Sequence, residues 1–141
     1  MLTGIDITAT RRYVSKLDPD KENPTVFQIG LLDPALRAEI DDDSSSYEMS
    51  STNPNDKAMV KLNWNKRQIK AIKFGLKGLE NFLDPQTQKP VELRFESNLY
   101  AGKMRECMPD RIIAMFSSEL RTELSEVILN ESKLSEGERK N

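Results

Sequence analysis

Ile69, Ile72, Leu76, Leu79 and Leu83 recur at alternating spacings of three and four, which places all five on one stripe of a helix. Asn65 with Gln68 three residues on supplies a helix start, and Asp84-Pro85 a stop, because proline disfavours a helical conformation at the residue before it. The polar run Gln86-Thr87-Gln88-Lys89-Pro90 reads as a turn. It leads into Val91, Leu93 and Phe95, which alternate with Glu92, Arg94 and Glu96 as in a half-buried strand.

The same reading places other elements on either side. Residues 25–31 are rich in β-formers, with Phe27, Ile29 and Leu31 on one side of a first core strand. Asp33 is an N-cap followed by proline at the first helical position, and Leu36 and Ile40 fall four apart, so a short helix spans 34–40. Val60, Leu62 and Trp64 share one face of a second strand, with Trp64 as a core anchor because an indole buries a large area. Residues 98–108 fit neither period, and Gly102 argues for a turn among them. Pro109 suits the first turn of a helix whose apolar residues are Ile112, Ile113, Phe116, Leu120, Leu124, Val127 and Ile128, with Ser117-Ser118 as its point of division. Ser135 with Glu138 resembles a capping box opening a last short segment, against which Gly137 weighs.

Long polar stretches separate these elements. Residues 1–24, with Pro19 and Pro24, read as a mobile extended arm, and residues 41–57 as a flexible loop too polar to offset the entropy of ordering it. The fold class expected is α+β, a single domain over 25–141 with about three strands and three helices in mixed order. A chain of 141 residues can bury such a core without disulfides or metals.

Charge is balanced overall, 21 basic against 23 acidic side chains, but not along the chain. Residues 1–56 carry five basic and eleven acidic side chains, residues 57–79 seven basic and none acidic, and residues 80–141 nine and twelve. Lys66, Lys70, Lys73 and Lys77 run at spacings of four, three and four and form a basic stripe beside the apolar one, a candidate surface for an acidic protein partner or for the chain's own acidic ends. Nucleic acid is the less favoured partner, because the chain as a whole is slightly acidic, Phe74 and Tyr100 are among the few aromatics that would stack on bases, and no nucleic-acid motif is present. No apolar run is long enough for a signal peptide or a membrane span, so a soluble protein with no membrane partner is expected.

The chain has no histidine, which excludes histidine-dependent triads and imidazole general bases. Cys107 is the single cysteine, so no internal disulfide forms, and without a histidine partner it reads as a small buried side chain. Gly75, Lys77 and Gly78 lack the order of a phosphate-binding loop. Two glycines inside a helix instead imply either close approach of another backbone or a helix end near Gly78. The aspartates at 41–43 lack the glycine and terminal glutamate of a calcium loop. Glu92 with Glu96 and Glu119 with Glu123 are paired carboxylates expected on wet faces. Neither a catalytic site, a metal site nor a cofactor is therefore expected.

Residues 25–32, the run Phe74-Gly75-Leu76-Lys77-Gly78-Leu79-Glu80-Asn81-Phe82-Leu83-Asp84 leading into residues 90–95, and Pro109-Asp110-Arg111-Ile112-Ile113 with the charged tail 134–141 resemble small morphogenesis proteins of tailed bacteriophages. Among these the sequence is most similar to a tail assembly chaperone. The resemblance implies a non-enzymatic protein of the host cytoplasm that keeps the tape-measure protein soluble while the tail tube assembles. It carries no residue-level site. A structural virion component at the head-tail junction and a phage effector bound to a host protein are the alternatives. Such a chaperone needs an amphipathic surface that accepts another helix, and Met49, Met59, Met104, Met108 and Met115 suit an adaptable interface or an ordinary core.

Overall fold

The computed structural model describes residues 1–48 and 59–138, and for 46–48, 59–61 and 132–138 the backbone alone. The fold is α+β, with seven strands and four helices among the described residues. Strand β2 (Val26–Gly30) lies between β1 (Thr10–Val14) and β5 (Leu76–Glu80) in an antiparallel sheet. Two hairpins complete the strands, β3 (Ser45–Glu48) with β4 (Met59–Leu62), and β6 (Glu96–Tyr100) with β7 (Lys103–Cys107). The helices are α1 (Pro34–Asp43), α2 (Trp64–Gly75), α3 (Asp110–Ile113) and α4 (Ser118–Glu138).

β2 is the central strand because it is apolar on both faces, and Val26, Phe27 and Ile29 are all buried. α1 forms where its cap predicts. The Asp33 carboxylate accepts the Leu36 N–H at 2.9 Å, and Leu36 and Ile40 are buried against the core. Phe27 and Phe116 meet edge to face with centroids 6.0 Å apart, joining the sheet to the turn between α3 and α4.

The central helix is shorter than its apolar stripe. α2 ends at Gly75, Leu76 is already extended, and residues 76–80 continue as β5, so Leu79 lies on a strand and Leu83 in the bridge it makes with Pro90. The physical reason is partly steric. A Cβ on Gly75 would sit 2.4 Å from Cγ2 of Ile128, so α4 crosses where only glycine fits. The free edge of β2 then recruits Leu76–Glu80 into the sheet, and its backbone pairing overrides the helical preference of Leu, Lys and Glu. The buried face of α2 is Ala71, Ile72, Phe74 and Gly75, while Ile69 is exposed. Its cap is Asn63, not Asn65. Asn63 accepts from Lys66 N at 3.1 Å, and its own N–H donates to Ser44 O at 2.7 Å, fixing the helix start to the end of α1.

Other expectations are corrected in the same way. Residues 10–14 are the edge strand β1 rather than extended arm. Residues 41–43 belong to α1 and 45–48 to β3, while the rest of the expected loop, 49–57, lies outside the described residues. Residues 91–95 are not a strand; pairing begins at Glu96, the last residue of the expected strand, and runs on into residues 98–107, which fit neither period. Ser117-Ser118 does separate α3 from α4, but no new helix opens at Ser135, because α4 runs on to Glu138.

Trp64 is not a core anchor either, being 62% exposed at the first turn of α2. As the only tryptophan, it should be quenched by acrylamide in the native protein almost as readily as in the unfolded chain. Strong protection from quenching in the native state would contradict its position.

Candidate functional site

The four lysines do not form one stripe. Lys66 is exposed in the first turn of α2, the Lys70 ammonium lies 4.5 Å from the centroid of the Tyr100 ring, and Lys73 pairs with Asp110 at 3.2 Å. Lys77 is on β5, where Leu76 pairs with Ile29 and Gly78 with Gln28, leaving Lys77 as the extra residue of a bulge. A bulge re-aims the side chain it displaces. Here the stem lies over Gly30, where an added Cβ would come within 2.6 Å of Lys77 Cγ.

What the structure brings together instead is the β6–β7 hairpin on the flank of α1 and α2. Its two-residue turn, Ala101-Gly102, has both φ angles in the left-handed region, 49° and 85°, as a tight hairpin with the twist of its strands requires. Cross-strand partners share a face, so Tyr100, Arg105 and Cys107 look toward the body while Leu99 and Met104, paired with each other, look away from it.

The inward side chains hold the hairpin in place. Tyr100 stacks on Phe74 with centroids 4.8 Å apart, and its hydroxyl donates to Asp43. Arg105 donates to the Tyr100 carbonyl at 2.8 Å, to the Ala101 carbonyl at 3.3 Å and to the Asp33 carboxylate. Burial of Asp33 works to raise its pKa, but the guanidinium bond, the Leu36 N–H and the charges of Arg105 and Lys103 outweigh it and hold the carboxyl below its ordinary value. Cys107 is buried and donates to Glu96 O at 3.4 Å; burial pushes its thiol up despite nearby Lys73 and Lys77, so it stays protonated. It is a packed side chain, as read from the sequence.

The outward side is apolar and open. Leu99 is 73% and Met104 63% exposed, facing each other across the hairpin. Beside them a cavity of about 210 Å³ opens between the hairpin, β5 and α1, with Leu36 and Phe74 at its base and Lys77, Lys103 and Met104 among its lining. Of these residues the sequence singled out Leu36 on its helix face, Phe74 among the few aromatics, Lys77, placed on the wrong element, and Met104, as a methionine suited to an interface or a core. Leu99 and Lys103 were missed. Gly102 was the usable signal, since a glycine turn flanked by Leu99-Tyr100 and Lys103-Met104 is a hairpin pattern.

Glu123 departs from the wet carboxylate expected of it. It accepts from the Tyr13 hydroxyl at 2.8 Å, the Lys16 N–H at 2.9 Å and the Ser15 hydroxyl. Burial works against its charge, but these donors prevail and its pKa is lowered, while burial and the same carboxylate push Tyr13 up to about 12. A carboxylate with its lone pairs so occupied is a clamp between β1 and α4, not a poised base. Among the described residues no group of three or more acidic or cysteine side chains is placed to hold a metal ion, and no helix is long and apolar enough to cross a membrane. In comparisons with known proteins, the chain matches no family model, no curated protein and no solved structure.

Proposed function

We propose that this chain is a non-enzymatic protein-binding domain that acts in assembly of a phage virion, in the manner of a tail assembly chaperone. The observation that carries the binding reading is the Leu99–Met104 pair, two large apolar side chains left open on a hairpin whose other face is fixed by Phe74, Asp33 and Asp43. A surface held rigid before contact loses little entropy on binding, and methionine adapts to varied partners. The setting, phage assembly in the host cytoplasm, rests on the resemblance in sequence.

A second reading draws on the N-terminal segment, where Met1, Leu2, Ile5 and Ile7 are all exposed. In a structural virion component these residues would order against a neighbouring subunit.

Mass spectrometry of purified virions, paired with affinity capture from the producing cells, separates the two. Absence from virions with recovery of a tape-measure or tail-tube protein supports the chaperone; stoichiometric presence in virions discards it. In the same capture, the double substitution Leu99→Glu/Met104→Glu is expected to abolish recovery of that partner. Both side chains are exposed, so stability should change by no more than about 0.5 kcal/mol. Undiminished capture by the variant would remove the hairpin from the interface.

A further inference from the structure

The cavity beside the hairpin has a composition that specifies what it would accept. Its base is apolar, with Leu36 and Phe74 buried in the core and Leu31 beside them. Its volume of about 210 Å³ is enough for one large apolar side chain, since an engineered apolar cavity of roughly 150 Å³ takes up benzene. Of the five charged residues around it, Arg105 and Asp33 satisfy each other. That leaves Lys77 and Lys103 against Glu106, and neither lysine forms an ion pair among the described residues. Two devices in the fold put Lys77 there. The bulge in β5 takes it out of the ladder, and Gly30 leaves room for its stem.

We propose that this cavity recognises an extended segment of a partner protein in which one large apolar residue is flanked by acidic ones. The apolar side chain fills the space over Leu36 and Phe74, and the flanking carboxylates meet Lys77 and Lys103. Met104 is among the residues around the cavity and also belongs to the exposed pair, so the cavity opens at the edge of the apolar surface. The Lys77 stem is packed over Gly30 while the residue as a whole stays exposed, so its ammonium is held at the cavity and open to an arriving carboxylate. The inference rests on the protein-binding reading and adds the chemistry of the partner.

The test is a titration of the isotopically labelled full chain, followed by amide shifts, with acetyl-Glu-Leu-Glu-amide and with acetyl-Lys-Leu-Lys-amide. The acidic peptide should shift Lys77, Lys103 and Met104 and bind about tenfold more tightly than the basic one, as complementary charge requires. Lys77→Met/Lys103→Met, which retains the stem over Gly30, should erase that preference while leaving the melting temperature in place. Equal binding of the two peptides, or shifts confined to other surfaces, overturns the proposal. So does capture of the assembly partner by the methionine variant at the unsubstituted level. If that partner is still lost with Leu99→Glu/Met104→Glu, the protein-binding reading stands without the pocket; if neither variant affects capture, both fall.

Discussion

Replacing Arg105 by methionine is expected to destabilise the fold by about 3 kcal/mol, the lower end of the range for breaking a buried ion pair. Its side chain is only 9% exposed and makes three bonds at once, to Asp33 and to the Tyr100 and Ala101 carbonyls. The lower end applies because Asp33 is partly exposed and keeps the Leu36 N–H. Urea denaturation of Arg105→Met and of Arg105→Met/Asp33→Asn checks the account. The double variant should recover much of the loss, since asparagine still caps α1 and no charge is left unpaired. A single-variant cost below about 1 kcal/mol would show that the pair is screened like a surface one. The same pair sets an acid limit. Asp33 and Glu123 both have carboxyls held below their unfolded values of 3.8 and 4.5. Their contributions are therefore complete above those values and are lost as pH falls past them and through the lower folded-state values. In Arg105→Met the Asp33 share of this acid sensitivity should shrink, which a pH series of denaturation midpoints reads directly.

Gly75→Ala is expected to cost about 1–3 kcal/mol, the range for overpacking a filled core. The added methyl would overlap Cγ2 of Ile128, which is carried on a branched carbon of a fully buried side chain and has no flexible end to give way. Alanine is otherwise the better helix former by up to about 1 kcal/mol, so the sign of the effect decides whether the contact is real. Ile128→Ala alone opens a cavity, but combined with Gly75→Ala it should cost less than the sum of the two. Additive losses would mean that α2 and α4 are further apart than the structure places them.

Elements specified by adjacent residues were legible in the sequence. Asp33-Pro34 with Leu36 and Ile40 gives α1, the β-rich run at 26–30 gives β2, and Ser117 marks the break before α4. What escaped depends on distant partners. Leu76, Lys77, Leu79 and Glu80 suit a helix, and only the edge of β2 and the side chain of Ile128 make β5 of them. The lysine spacing was misread for the same reason, since a period has meaning only within one element. Ala101-Gly102 hid the second hairpin because alanine rarely takes a positive φ. Val91 and Leu93 are half-buried, but Phe95 is exposed, and beyond the Val91 N–H bond to the Phe82 carbonyl no ladder continues along them among the described residues, so no strand forms.

The Glu123 clamp also bears on how the chain folds as it is made. Tyr13 and Glu123 are 110 residues apart in sequence, and Arg11 finds Glu131 further still. At about 5–20 residues per second, the N-terminal strand waits roughly 5–20 seconds for the helix that fastens it. Over that interval β1 has β2 as its neighbour but lacks the side-chain anchors that Glu123 and Glu131 supply.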